Sequence, residues 1–381
     1  AVQYSRGCRF NCEFCDITQL FGRKPRGKDP DQMEGELEAL YESGFRGEVF
    51  LVDDNILGNK NDLQKFLVRL KNWQKQRDHP FSFITQASVD LAWDSNNGIL
   101  EDMVQAGVYK VFLGIESVEE EEIKLMRKGQ NLKLSPLESV RRIQNAGINV
   151  AAGFILGTDG QKPDIFDKLY GFIQEAGIPF SMAGLLIALK NTDLHKRLDQ
   201  EERLRPDNDH GGNTHAFSLN FEPRLAEGFS EKDLVRGYKD LLERLFDDKA
   251  YYERCRVLQR EIGPGAYLMR GDSENRRSFF RFLKHQLVDR NLTLEAAKYL
   301  GKTLFTNPRY FPQAVGDAVK QQHFKQITRE SIKVDDYEST LESWHRRFIE
   351  GVEATYLDYS GNLPKAKQII EKKANQLVSR A

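Results

Sequence analysis

Ser135-Pro136-Leu137-Glu138-Ser139-Val140-Arg141-Arg142-Ile143-Gln144-Asn145-Ala146-Gly147-Ile148 leads straight into Asn149-Val150-Ala151-Ala152-Gly153-Phe154-Ile155-Leu156-Gly157. Ser135 reads as an N-cap, Pro136 as a first-turn proline and Glu138 as the glutamate of a capping box. Val140, Ile143 and Gln144 follow at helical spacing. Gly147 stands where a helix stops, because glycine takes the left-handed conformation of a helix end without strain. Residues 148–155 form an apolar run of strand length. The stretch is one helix, one tight stop and one buried strand.

The same stop recurs along the chain. Ala106-Gly107-Val108 and Ala176-Gly177-Ile178 repeat Ala146-Gly147-Ile148, and Ser43-Gly44-Phe45 is a near copy. Strand-like runs at 2–5, 48–52, 81–86, 110–115, 148–155 and 179–187 come roughly every 30–40 residues, the pace of β-α units. Amphipathic segments fill the gaps, one of them carrying Leu63, Phe66, Leu67 and Leu70. Strands joined by helical crossovers are parallel. The pattern predicts an α/β fold, a partial (β/α)6 TIM-like barrel over residues 1–204.

Residues 205–229 hold Pro206, Asp207, Asn208, Asp209, Gly211, Gly212, Asn213 and Pro223, and are expected to form a linker or crossover loop. From residue 230 only helical patterns remain. Ser230-Glu231-Lys232-Asp233 reads as a capping box ahead of Leu234, Tyr238, Leu241, Leu242 and Leu245. Further helices are expected at 249–262, 274–289, 293–306, 312–328 and 337–356, with a short one after Pro364. The expectation is a C-terminal all-helical domain over 230–381. The basic, aromatic run Arg276-Arg277-Ser278-Phe279-Phe280-Arg281-Phe282-Leu283-Lys284 could bind phosphate or RNA, but with a near-neutral total charge it reads as a solvated helix with a buried Phe face.

A chain of 381 residues exceeds one ordinary core, which suits a barrel plus a second domain. Hydrophobic residues at 40% and charged residues at 30% describe a folded protein rather than a disordered one. A net charge of -1 gives no general attraction to nucleic acid or to an anionic membrane. No apolar run approaches the roughly 18 residues of a membrane span, and nothing resembles a signal peptide. The sequence therefore predicts a cytoplasmic protein with no nucleic-acid partner and no transmembrane segment. It has no Ser-His-Asp order, no Walker loop and no HExxH helix.

Cys8-Arg9-Phe10-Asn11-Cys12-Glu13-Phe14-Cys15 puts three of the four cysteines into a C-x3-C-x2-C spacing. Disulfides do not suit a cytosolic chain, and three clustered thiols cannot pair evenly. Structural zinc takes four ligands, usually as two pairs, whereas Cys255 is remote and the nearest downstream histidine is His79. Three thiolates suit an iron–sulfur cube with one iron left open. A zinc knuckle completed from afar and three inert thiols are the alternative readings.

Ser5-Arg6-Gly7-Cys8-Arg9-Phe10-Asn11-Cys12-Glu13-Phe14-Cys15 resembles the signature of the radical SAM superfamily. The resemblance implies that Cys8, Cys12 and Cys15 hold a [4Fe-4S] cluster. It implies that the amine and carboxylate of S-adenosylmethionine (SAM) chelate the fourth iron and that Phe14 lies against the adenine. Reductive cleavage of SAM would then give methionine and a 5'-deoxyadenosyl radical. A partial barrel is the fold that the resemblance implies as well.

Further candidates stand at strand ends, where parallel barrels gather function. Asp53-Asp54-Asn55 follows the second strand. These residues either meet the SAM amine or ribose, or cap backbone groups in a turn. The family's usual glycine-rich version is absent. Glu116 and Ser117 follow the fourth strand, and a carboxylate there is too costly to bury unpaired. It faces the barrel mouth or caps the next helix. Gly114-Ile115-Glu116-Ser117 resembles a motif of cobalamin-linked radical SAM proteins, which implies an acid in contact with SAM. Gly153-Phe154-Ile155-Leu156-Gly157 resembles the family's G-x-I-x-G element, which implies that Gly153, Ile155 and Gly157 run along the adenine. Gln86 and Ser88 are lesser candidates. Arg23, Lys24 and Arg26 read as a solvated basic loop, and His210 and His215 as exposed linker histidines.

Gly237-Tyr238 and Tyr251-Tyr252-Glu253-Arg254, within residues 229–256, resemble the C-terminal helical domain of one branch of the superfamily. That branch includes hopanoid C-2 methylases and bacteriochlorophyllide side-chain methylases. Its radical SAM domain follows a cobalamin-binding domain, so such a domain is expected upstream of Ala1. The resemblance then implies cobalamin as a third cofactor, with methylcobalamin supplying a methyl group. The substrate would be a small molecule such as a lipid or tetrapyrrole, and the electron donor a flavodoxin or ferredoxin. The rival readings are a non-methylating radical SAM oxidoreductase or cyclase, and a zinc-binding module without catalysis. A methylthiotransferase fits less well, since no second cysteine cluster or terminal β-barrel is evident.

Overall fold

The computed structural model describes residues 1–205, 216–263 and 293–358. His210, His215, the run 276–284 and the helices expected at 274–289 and after Pro364 lie outside them. The elements in order are β1 (Ser5–Arg6), α1 (Ile17–Leu20), β2 (Arg26–Gly27), α2 (Pro30–Glu42), β3 (Gly47–Leu51), α3 (Lys60–Gln76), β4 (Phe81–Ala87), α4 (Asn97–Gln105), β5 (Val108–Glu116) and α5 (Glu120–Leu125). They continue with α6 (Pro136–Ala146), β6 (Asn149–Leu156), α7 (Ile165–Glu175), β7 (Ser181–Leu185), α8 (Asp193–Gln200), α9 (Glu231–Leu245), α10 (Asp248–Glu261), α11 (Leu294–Thr306) and α12 (Phe311–Asp358). The helices expected at 312–328 and 337–356 are one helix, α12. The stretch between them, residues 329–336, has no glycine or proline to interrupt it.

β3 to β7 form one parallel sheet in sequential order. The sheet curls into a half-barrel with a helix after each strand, which is the partial barrel the repeat predicts. The strand count is corrected from six to five. The segment 2–5 contributes a single parallel bridge, Val2 to Leu51. The Val2 N–H donates to the Phe50 carbonyl and the Val52 N–H to the Val2 carbonyl, both at 2.9 Å. The ladder stops there because the next backbone donors are diverted. Tyr4 and Ser5 give their N–H groups to the Asp53 carboxylate. Ser5–Arg6 then pairs antiparallel with Arg26–Gly27.

Alternation along the strands separates two faces. Val111, Leu113, Phe154, Leu156 and Ala183 are buried beneath the helices. Phe112, Gly114, Gly153, Ile155, Met182 and Gly184 are half-buried on the inner face. Gly114 and Gly153 are register partners there, and their bare backbone makes room for neighbouring side chains.

The glycine stops behave as the sequence predicts. Gly44, Gly107, Gly147 and Gly177 all have positive φ, between 60° and 108°. Ser135 caps α6 by accepting from the Glu138 N–H at 3.2 Å. Glu138 does not complete a capping box, because its carboxylate is taken by Arg142 one turn later, at 2.7 Å. The box is complete at α9, where Ser230 and Asp233 satisfy each other's backbone N–H groups.

By contacts the chain forms two compact units, Ala1–Lys325 and Gln326–Ala381. Within the first, α9 and α10 pack on α7. The Tyr238 hydroxyl donates to the Ala183 carbonyl of β7 at 2.9 Å. Among the described residues, no helix is long and apolar enough to cross a membrane.

Candidate active site

The three clustered cysteines lie on the loop between β1 and α1, and all three are half-buried. Distant partners lay this loop across the carboxyl ends of the strands. Asp53 and Asp54 directly follow the β3 edge. Asp53 accepts the N–H groups of Ser5 and Tyr4, and Asp54 accepts that of Gly7 at 2.7 Å. Arg9 is paired with Asp90, which is fully buried after β4. The Glu13 N–H donates to the Met126 carbonyl at 3.0 Å, and the Leu194 N–H donates to the Glu13 carbonyl at 2.9 Å. The Glu13 carboxylate takes a two-pronged grip from Arg197, at 2.7 and 3.2 Å.

Two sulfurs face side-chain amides. Asn55 Nδ2 donates to Cys8 Sγ at 3.7 Å, and Gln130 Nε2 to Cys12 Sγ at 3.8 Å. Burial pushes the Cys15 thiol up to about 11, against the pull of the Ile17 N–H. Burial also raises the Cys12 thiol, although Lys128 and Gln130 oppose it. Free thiolates are therefore disfavoured here, and a bound cation would reverse that by supplying positive charge at the sulfurs. Among the described residues, no three Cys, His, Asp or Glu side chains are gathered as ligands to a single metal ion. Three half-buried thiols on one loop, two of them facing an amide N–H, are a donor set that a three-thiolate cluster would use.

Beside Cys12 lies a buried ion pair between Lys128 and Glu116. Glu116 ends β5 at φ 67°, an unusual conformation for a residue with a side chain, at an irregularity in the β5–β6 register. A Cβ on Gly114 would collide with the carboxylate of Glu116 and the amine of Lys128. Glycine at 114 therefore makes room for the pair. Burial works against the charged Lys128 amine, yet Glu116 and Cys12 carry its pKa above the usual lysine value. The amine also stands 6.0 Å from the centre of the Phe14 ring.

The other sequence candidates divide. Phe14 lines a cleft of about 350 Å3 with Met126, Thr158, Leu186 and Leu194, beyond the ends of β6 and β7. Gly153 and Ile155 lie on the inner face. Gly157, at φ 90°, packs close to Leu219 and Leu234, and its N–H goes to Gln161 at 2.7 Å. Ser117 donates to the buried Glu122 at 2.6 Å and accepts the Glu119 N–H at 3.1 Å, serving the start of α5. Asn55 is brought to Cys8, whereas Asp53 and Asp54 are spent on backbone. Ser88 links Asn55 to Asp90. Arg23, Lys24 and Arg26 are exposed, and Gln86 lends its backbone carbonyl to Ile56.

Sequence reading missed Lys128, Gln130, Asp90, Glu13 and Arg197. Lys128 and Gln130 sit in a short polar turn after α5. Their only sequence signal is charge and amide groups close behind Glu116.

Residues 2–173 match the radical SAM superfamily. The chain belongs to that superfamily. Residues 192–336 of this radical SAM protein match a domain of unknown function, DUF4070. It is 42% identical over 254 residues to an uncharacterized methyltransferase of Synechocystis sp., covering 67% of this chain and 46% of that protein. The hopanoid C-2 methylase of Rhodopseudomonas palustris is 36% identical over 254 residues, with the same shares of each chain. The bacteriochlorophyllide d C-8(2)-methyltransferase of Chlorobaculum tepidum is 22% identical over 202 residues, covering 51% of this chain and 43% of that protein. The chain thus spans about half the length of the curated relatives it matches. In fold it is similar to the radical SAM methyltransferase TsrM from Kitasatospora setae, solved with cobalamin and a [4Fe-4S] cluster bound. The TM-score is 0.52 at 13% identity, over 66% of this chain and 52% of that one. The resemblance read from the cysteine spacing is therefore borne out, and the superfamily implies an enzyme with a [4Fe-4S] cluster and SAM.

Proposed function

We propose that Cys8, Cys12 and Cys15 ligate three irons of a [4Fe-4S] cluster, and that this chain is the radical-generating part of a cobalamin-dependent C-methylating enzyme. The observation that carries the proposal is the cysteine loop. Its three half-buried thiols lie over the strand ends, with an amide N–H at two of the sulfurs. When bound, the cluster supplies the electron that cleaves SAM into methionine and a 5'-deoxyadenosyl radical. The chain's own residues then hold and shield the reactants. Glu116 and Lys128 offer polar partners for the amino and carboxylate groups of SAM. Phe14 and the cleft at Thr158 and Leu186 receive the adenosyl group. Gly153 and Ile155 lie on the inner face beside it, and Gly157 shapes the turn that follows. Asn55 acts at Cys8, while Asp53, Asp54 and Ser117 act by fixing backbone around the site.

Methylation is supported by the names of the relatives, which are methylases of a hopanoid and of a bacteriochlorophyllide. By that analogy the substrate is a small lipid or tetrapyrrole. Cobalamin would supply the methyl group, and a cytoplasmic flavodoxin or ferredoxin would supply electrons. The test is anaerobic reconstitution. The chain is expected to take up about four irons, turn brown, and release 5'-deoxyadenosine from SAM with a strong reductant. Cys12→Ala is expected to abolish all three while leaving the far-UV spectrum unchanged. Uptake of one zinc and no iron would overturn the proposal.

A further inference from the structure

We infer that Asn55 and Gln130 act on the cluster through its cysteine sulfurs, as N–H donors that raise its reduction potential. The inference rests on the ligand set proposed above. Asn55 is 3% exposed and Gln130 9%. They reach different sulfurs from different strand ends, Asn55 after β3 and Gln130 beyond β5 and α5.

The orientation of the Asn55 amide follows from its neighbours. Its Oδ1 accepts two backbone donors, the N–H of Leu57 at 3.2 Å and that of Ser88 at 3.3 Å. Only Nδ2 is left to face Cys8, and it also donates to Ser88 Oγ at 3.1 Å. The Ser88 hydroxyl is in turn bonded to Asp90, which Arg9 holds. Gln130 sits in a tight turn that Asn131 ties to β5, with Nδ2 donating to the Gly114 and Ile115 carbonyls at 3.1 and 3.0 Å. The Asn55 amide and the turn that carries Gln130 are thus fixed by partners that do not depend on the cluster.

The direction of the effect is electrostatic. Reduction adds an electron that is shared with the ligating sulfurs, so an N–H donor binds the reduced state more strongly than the oxidised one. Hydrogen bonds to the sulfurs are among the levers that set iron–sulfur potentials. Burial enlarges the effect, because the local dielectric is low. Asn55 and Gln130 are therefore positioning residues that act through Cys8 and Cys12.

The experiment uses the full chain, reconstituted anaerobically, with iron and sulfide assayed before any other reading. A wild-type chain that takes up no iron sinks the ligand proposal itself. Given a loaded wild type, Gln130→Met removes the N–H and keeps length and neutrality. The variant is expected to hold wild-type iron. Its midpoint potential, followed by electron paramagnetic resonance, is expected to move to more negative values. The ratio of reduced to oxidised cluster at a fixed solution potential should fall roughly threefold to tenfold, the net worth of one hydrogen bond. Transfer from water into deuterium oxide should shift the iron–cysteine stretching bands of the wild type in the resonance Raman spectrum, and less so those of the variant. Full iron with an unmoved potential overturns the inference. If Gln130→Met loses its iron, Asn55→Leu is read the same way. If both lose it, wild-type Raman bands insensitive to deuterium overturn the inference.

Discussion

The cysteine loop and the α9–α10 layer are secured by different physics. The loop has little apolar surface to bury. It is held by Asp53, Asp54, Asp90, Glu13 and Arg197, each aimed at a particular donor or acceptor. The α9–α10 layer is held by packing. Leu234, Tyr238, Leu241, Leu242 and Leu245 are buried, and the bare backbone at Gly237 lets the Phe166 ring come close. Apolar burial is strong and forgiving of direction, whereas charge-assisted bonds are directional and fail when one partner goes. The site can therefore be reshaped by single polar substitutions that leave the helical layer intact.

Four measurements sharpen or break this contrast. The largest effect is expected from Lys128→Met, which leaves Glu116 buried and unpaired. Breaking a buried pair costs about 3–5 kcal/mol, read as a lower denaturation midpoint. Lys128→Met combined with Glu116→Gln should recover much of that loss. A Lys128→Met chain as stable as wild type would mean the pair is not desolvated.

Next comes Gly237→Ala. Its added methyl would collide with the Phe166 ring. Overpacking of this kind costs about 1–3 kcal/mol and should lower the midpoint without changing iron uptake. Loss of iron alone, with unchanged stability, would contradict the division between the two regions.

Asp53 gives a pH signature of similar or smaller size. Burial lifts its carboxyl to about 6, in spite of the Ser5 and Tyr4 donors. The folded chain thus keeps the proton up to about pH 6, while the unfolded chain releases it near 3.9. Between those values the folded state binds more protons, so this contribution to stability is present below pH 4 and is lost as pH rises to about 6. The window is worth about 3 kcal/mol. Asp53→Asn should remove that slope from the difference between paired melting curves, and an unchanged slope would refute the assignment.

The smallest effect is expected from Tyr238→Phe, which removes the hydroxyl that bonds Ala183 and leaves the ring in place. The loss is about 1 kcal/mol. A larger loss would show that α9 relies on polar bonds as much as the loop does.

Much of the barrel was legible because its signals are local. A glycine with positive φ after Ala106, Ala146 or Ala176 ends a helix whatever surrounds it. The first strand was over-read, because nothing in residues 2–5 shows that Asp53 takes two of its backbone donors. Glu138 was over-read for a similar reason, since Arg142 competes for its carboxylate. In the site, Phe14 and Glu116 were legible by resemblance. Lys128 and Gln130 were not, because an exposed turn and a buried polar pair have the same composition.

The sequence by itself determined the helix stops, the pace of the strands and the three-thiol spacing, since each depends on residues a few positions apart. The tertiary structure alone decided what surrounds the sulfurs. Asn55 lies 47 residues from Cys8, Gln130 lies 118 from Cys12, and Arg197 lies 184 from Glu13. Such partners meet because parallel strands deliver their carboxyl ends to one rim. Which side chain reaches which sulfur there is settled by the packing of the crossovers, and no local pattern encodes it.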